Sequence, residues 1–263
     1  MAENKVKISI DGKEIEVEKG ITIFDAAKKI GIEIPHLCYY EHLSISGACR
    51  LCLVEVEGEK SLIASCAYPI LKEIKVHTDT QQVIKARSLI LELILSEHPL
   101  DCLTCDSAGE CKLQDYAYEY GVGKSRFVGE THQYNIENAN PFIIRNYNKC
   151  ILCARCVKVC DEVQACDVQD FIYRGFKTKI STSFALPMQE ANCVFCGNCV
   201  EVCPVGALQE KQAERKGRPW QLQQVKTICP YCGCGCGLIL HIRESRVIKI
   251  SGDRNNSVNH GWL

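Results

Sequence analysis

Polar and apolar residues alternate along residues 5–18, as KVKISI and then KEIEVEK, with Asp11-Gly12 between the two runs. A period of two on either side of an Asp-Gly pair predicts a β-hairpin closed by a tight turn. Thr22 and Asp25 predict a capping box that opens a short helix, IFDAAKKI, which Gly31 ends. CLVEV predicts another strand. Between Thr80 and Glu97 the apolar residues Val83, Ile84, Ala86, Ile90, Leu91, Leu93, Ile94 and Leu95 recur at mostly helical intervals, which predicts a largely buried helix. Residues 115–148 are aromatic and polar and read as a connector with some helix. Further on, KQAERKGRPWQ is a charged linker containing Gly and Pro, and LILHI and RVIKI predict two short strands beyond it.

Composition narrows the class. With 46% hydrophobic residues in 263, the chain is globular and long enough for two or more small domains. No window approaches the apolar length of a membrane span, so no membrane span is expected and the chain is placed as soluble and cytoplasmic. The formal net charge of -1 says little about partners, and no basic stripe with interleaved aromatics appears, which argues against nucleic acid. The twenty cysteines change the picture.

Two runs, CILCARCVKVC and CVFCGNCVEVCP, are separated by 32 residues, and each has the form C-x2-C-x2-C-x3-C. That spacing lets three thiolates from one loop grip three corners of an iron-sulphur cube while the fourth reaches the other cube. Cys150, Cys153, Cys156 and Cys203 are assigned to one 4Fe-4S cluster, and Cys193, Cys196, Cys199 and Cys160 to the second. Structural zinc prefers two C-x2-C pairs split by a longer loop, a poorer match to this pattern. The N-terminus, MAENKVKISIDG, has no apolar export segment, so an oxidising compartment and a disulfide framework are not indicated.

The remaining motifs are read with the help of resemblance. Cys38, Cys49, Cys52 and Cys66 follow the hairpin and helix, and the whole resembles the beta-grasp domain of a 2Fe-2S ferredoxin. The first gap is ten residues, unlike the plant-type C-x4-C-x2-C, and is similar to the N-terminal domain of the large iron-sulphur subunit of respiratory complex I. His98, Cys102, Cys105 and Cys111 form an H-x3-C-x2-C-x5-C string that taken alone also suits zinc. In the complex I relatives the same string lies between the 2Fe-2S domain and the paired cubes, and the resemblance implies a 4Fe-4S cluster held by one His and three Cys. Cys229, Cys232 and Cys236, spaced C-x2-C-x3-C, resemble the opening of molybdopterin oxidoreductases, in particular formate dehydrogenase alpha subunits. There a fourth Cys follows, about where this chain reaches Leu263.

Eighteen of the twenty cysteines are thereby assigned, leaving Cys166 as a small buried thiol and Cys234 as a non-ligand or an alternative fourth ligand. His36 and His42 are read as hydrogen-bonding loop residues. GVGKS fails as a Walker loop because position 118 is Tyr, and no G-x-G-x-x-G occurs, so no NAD or flavin site is expected on this chain. The fold expected is α+β: a beta-grasp 2Fe-2S domain (1–78), a helical segment whose one histidine and three cysteines hold a 4Fe-4S cluster (79–118), a connector and two-cluster ferredoxin-like domain (119–211), and a linker with a small C-terminal 4Fe-4S segment and short strands (212–263). The resemblance implies an electron-relay subunit or fragment of a formate dehydrogenase complex, between a pterin-containing subunit and a flavin/NAD-binding subunit. The alternative is the relay subunit of an NAD(P)-linked hydrogenase. The cofactors implied are one 2Fe-2S and three 4Fe-4S clusters, with a fourth 4Fe-4S cluster at the C-terminus, and no complete catalytic site.

Overall fold

β1 (Lys5–Ile10) and β2 (Lys13–Glu18) form the hairpin, with Lys5 opposite Glu18 and Ile10 opposite Lys13. Asp11 and Gly12 both take positive φ, 48° and 79°, as a two-residue turn matched to strand twist demands. The computed structural model in which these elements are seen describes residues 5–214 and 216–263. Alternation buries Val6, Ile8 and Ile10 on one face of β1. α1 (Ile23–Lys29) starts at Thr22, whose Oγ1 accepts from the Asp25 amide at 3.1 Å and donates to the Asp25 carboxylate at 2.7 Å. The carboxylate thus meets the capping hydroxyl, a variation on the reciprocal backbone contact of a capping box.

β3 (Leu53–Val56), β4 (Ile63–Ala64) and β5 (Lys75–His77) complete a five-stranded sheet in the order β2-β1-β5-β3-β4, with β1 and β5 parallel and the other pairs antiparallel. α1 lays Ile23, Phe24, Ala26 and Ala27 against this sheet, and Ile10, Val54, Ile70 and Val76 are all but inaccessible within the same core. Each of the Ile, Val and Phe side chains contributes roughly 1.5–3 kcal/mol by leaving water.

α2 (Gln81–Glu97) forms as expected in extent and is less buried than expected. Only Val83, Arg87, Leu91 and Leu95 are buried, one stripe at intervals of four, while Ile84, Leu89 and Leu93 are exposed. Arg87 sits in the stripe because its guanidinium is bonded there: Nη2 donates to the Leu53 carbonyl at 2.7 Å and Nη1 to the Tyr120 hydroxyl at 3.0 Å. α3 (Lys112–Glu119) supplies the helix expected in the connector.

The chain divides into two compact units, residues 1–97 with 115–130, and residues 98–114 with 131–263. In the second unit β6 (Ile143–Arg145) pairs with β9 (Leu208–Glu210), and β7 (Gln169–Ile172) with β8 (Lys179–Thr182). Two four-residue helices, α4 (Arg155–Lys158) and α5 (Asn198–Glu201), follow the two cysteine loops. A three-stranded sheet, β10 (Gln223–Ile228), β11 (Gly237–Arg243) and β12 (Arg246–Gly252), includes the two strands expected after the last cysteines. β10 has no counterpart among the expected elements, and all six of its residues are exposed, so it has no apolar face for a pattern to reveal. Among the described residues no helix is long and apolar enough to cross a membrane.

Candidate metal centres

The two long cysteine runs fold alike. Leu152 and Phe195, each just before the second Cys, have φ of 52° and 53°; Ala154 and Gly197, each just after it, have φ of 68° and 83°. Left-handed Leu, Phe and Ala cost of order 1–3 kcal/mol apiece and persist where surroundings over-determine them. The conformation turns amides toward sulphur, as where Phe195 N–H donates to Cys193 Sγ at 3.4 Å.

Cys150, Cys153, Cys156 and Cys203 line one cavity of about 30 Å³. Cys160, Cys193, Cys196 and Cys199 line another, of about 20 Å³. Cys203 therefore stands with the first run and Cys160 with the second, the crossed arrangement read from the spacing. Cys160 lies in a π turn, Val159–Val163, that continues α4, and such widened turns gather at functional positions. Cys166 departs from the reading as a buried thiol. It is half-buried and lines the second cavity beside Cys160, to whose carbonyl its own amide donates at 3.0 Å.

Burial governs the electrostatics of these thiols. It pushes Cys150 up to about 11 and Cys153 and Cys199 to about 12, each well above an ordinary thiol. Three buried cations oppose it. Arg145 favours the thiolates of Cys150, Cys193 and Cys199, and Arg155 those of Cys153 and Cys203. Lys149, 6% exposed, places Nζ 2.9 Å from Asp101, and its stem shares the space over Gly206 with Cys105 Sγ. These cations escape a reading of the sequence, because an Arg or Lys beside a cysteine run looks like any other surface charge until burial is known.

The three cysteines of the His98 string come together as well, and His98 itself lies within electrostatic reach of Lys149 and Asp101. Cys102, Cys105 and Cys111 lie within electrostatic reach of one another, and burial lifts the Cys111 thiol to about 11. Burial, seconded by Lys149, pushes His98 down to about 4, and its Nδ1 is buried with no hydrogen-bond partner. A neutral imidazole with one orphaned nitrogen is what a metal ligand requires. The linker reaches this loop: Arg218 donates to the carbonyls of Cys105 and, at 2.7 Å, Leu103, and Trp220 packs over Gly109.

In the first unit Cys38, Cys49, Cys52 and Cys66 are drawn together around the loop after α1. Cys52 Sγ is 3.3 Å from Cys66 Sγ, and Leu37 N–H donates to Cys49 Sγ at 3.4 Å. A thiol hydrogen bond within each pair leaves the proton on one sulphur, so Cys38 and Cys66 are raised while Cys49 and Cys52 are lowered. His36 takes the loop role expected of it, its Nδ1 2.9 Å from the Ile34 carbonyl and its ring edge-on to Phe24. In the second unit Cys229, Cys232 and Cys236 sit in a loop closed by the Cys229 amide on the Cys236 carbonyl at 2.8 Å. Gly233 and Gly235, at φ of 76° and 84°, let the intervening chain double back. Cys234 stands among these three thiols, exposed and hydrogen-bonded to Cys232.

These donors suit iron-sulphur groups. The paired thiol sets each surround a void, and His98 presents an unpartnered nitrogen. The class defined is a mixed α/β protein with 2Fe-2S and 4Fe-4S ferredoxin-like domains. Four family models match in succession: a 2Fe-2S iron-sulphur cluster binding domain (3–81), the NADH-ubiquinone oxidoreductase-G iron-sulphur binding region (87–126), the ferredoxin-like domain of NADH-quinone oxidoreductase subunit 3 (140–209), and the molybdopterin oxidoreductase Fe4S4 domain (222–263).

The chain is similar to the iron-sulphur region of G-type subunits of NADH-quinone oxidoreductases and to a chain of an NAD+-reducing hydrogenase. It is 41% identical to a G-type NADH-quinone oxidoreductase subunit of Rhizobium meliloti and 41% identical to the NADPH-Fe(3+) oxidoreductase subunit alpha of Geobacter sulfurreducens, with 98% of this chain aligned in each case. It spans only 30% of the length of either relative. A crystal structure of an NAD+-reducing NiFe-hydrogenase in the H2-reduced state contains a chain that is 29% identical, with a TM-score of 0.69, over 80% of this chain and 89% of that one.

Proposed function

We propose that this chain is the iron-sulphur electron-relay part of an NADH- or NADPH-linked oxidoreductase complex. The observation that carries the reading is the crossed pairing of two thiol quartets around two separate cavities within one unit. Cys38, Cys49, Cys52 and Cys66 hold a 2Fe-2S cluster; His98, Cys102, Cys105 and Cys111 hold a 4Fe-4S cluster; the two quartets hold one cube each, and Cys229, Cys232 and Cys236 hold three corners of another. When bound, these groups supply one-electron storage at potentials set by ligand, charge and solvent. The chain's own contribution is to keep the ligands dry, as burial of Cys153, Cys156 and Cys199 does, and to balance thiolate charge with Arg145, Lys149 and Arg155.

The finer reading pairs this relay with a flavin/NAD-binding subunit on one side and a pterin-containing subunit on the other, as in formate dehydrogenase, and the molybdopterin-type match at 222–263 supports it. The likeness to a chain of an NAD+-reducing hydrogenase favours the second reading, in which the catalytic partner is a hydrogenase. Anaerobic reconstitution tests the relay: iron near fourteen atoms per chain or above agrees with one 2Fe-2S and at least three 4Fe-4S clusters, and zinc in place of iron, or about eight irons, sinks it. Metal analysis of the co-purified complex separates the finer readings, with molybdenum or tungsten pointing to the pterin partner and nickel to the hydrogenase.

A further inference from the structure

Arg145 ends β6 with 3% of its surface accessible and lines the cavity of Cys150, Cys153, Cys156 and Cys203. Its Nη1 donates to the Tyr147 hydroxyl at 3.0 Å and lies 3.6 Å from the Glu137 carboxylate. Nε and Nη2 are buried and have no hydrogen-bond partner. Leaving two donors of a charged group dry and unmatched is costly, so a site that retains them points to an anionic acceptor. Beside Arg145 in that lining stands Gln169, which is 4% exposed and belongs to the walls of both cavities. Its Oε1 is likewise buried without a partner.

The geometry points to Arg145 as a shared counter-cation of the two paired cubes, its free guanidinium donors directed to the group in the first cavity and its charge raising the reduction potentials of both. Reduction adds an electron to a group already negative, and a fixed cation in a water-poor wall favours the reduced form. Glu137 moderates the effect, since its carboxylate cancels part of the guanidinium charge. The role assigned to Arg145 rests on the reading of the two quartets as cluster ligands.

The test is an EPR-monitored redox titration of the reconstituted chain. Arg145→Gln is expected to make reduction of both paired cubes about tenfold less favourable, a downward shift of about 59 mV for a one-electron couple. Arg145→Lys should fall between, because it keeps the charge and loses the fork. Glu137→Gln should move the same two signals upward, while the 2Fe-2S signal from the first unit stays in place throughout. An Arg145→Gln chain with wild-type iron and unmoved potentials overturns the inference. If that variant loses iron, Glu137→Gln decides, and no upward movement overturns it. A wild-type chain that never takes up the paired cubes instead overturns the reading beneath.

Discussion

The first unit is organised around an apolar core, and the second sets shorter elements around its thiols. In the first, Ile8, Ile10, Val17, Ile23, Phe24, Val54 and Val76 close around one another between α1 and a five-stranded sheet. In the second, the helices after the cysteine loops are four residues long, the paired strands there have three or four residues, and the buried set mixes Cys with Arg145, Lys149, Arg155, Gln169 and Asn198. Elements that short cannot hold themselves by propensity. A fold with an apolar core stands by itself, whereas one built on thiols and buried cations needs the group those charges surround.

Removing iron gives the largest expected effect. Chelation under anaerobic, reducing conditions should strip hydrogen-exchange protection from residues 140–210, including β6 and β9, while β1 and β2 remain protected. The sheet loses only support near Cys38, Cys49, Cys52 and Cys66, because its core does not pass through those sulphurs alone. Equal protection of both regions in the apo chain would remove the contrast.

His98→Ala comes next. The orphaned Nδ1 implies one lost ligand and hence about four irons lost per chain, with the 2Fe-2S signal untouched. His98→Cys should keep the cluster and lower its potential, since a thiolate replaces a neutral ring. Retention of full iron in His98→Ala would show that the imidazole is structural.

What is legible in the sequence follows the same division. Alternation announces β1 and β2, and the spacing of cysteines announces which thiols meet, because both are local codes with a fixed period or ligand count. The burial of α2 is where pattern misleads: its apolar residues outnumber its buried ones, and Arg87, which reads as polar, belongs to the inward stripe through its bonds to Leu53 and Tyr120. The counter-cations and the clasp of Arg218 over the Cys105 loop are invisible for a related reason. The cations lie near the cysteine runs, but only burial distinguishes them from surface charges; the clasp joins residues 113 apart, with no periodicity to report it.

A core truncation sharpens the comparison from the other side. Ile10→Ala empties a fully buried site and should cost the first unit about 2–5 kcal/mol. Denaturant unfolding followed by a probe in the sheet measures it. Iron bound by the paired cubes should stay at the wild-type level, and a fall in both together would mean that the units are not independent.

The smallest effect is expected at Cys166. Five thiols line the second cavity, and a cube has four corners. Cys160 completes the C-x3-C spacing and is turned inward by the π turn at Val159–Val163. Cys166 follows on a reversed segment, with Ala165 and Asp167 at φ of 53° and 47°, and its amide is already tied to the Cys160 carbonyl. Cys166→Ser should therefore leave iron content and EPR spectra unchanged, whereas Cys160→Ser should lose about four irons. The reverse outcome, iron lost with Cys166 and kept without Cys160, would assign the fourth corner to Cys166 and break the symmetry between the two runs. Loss with either one would mean that the cavity needs all five sulphurs, the fifth filling its wall rather than ligating.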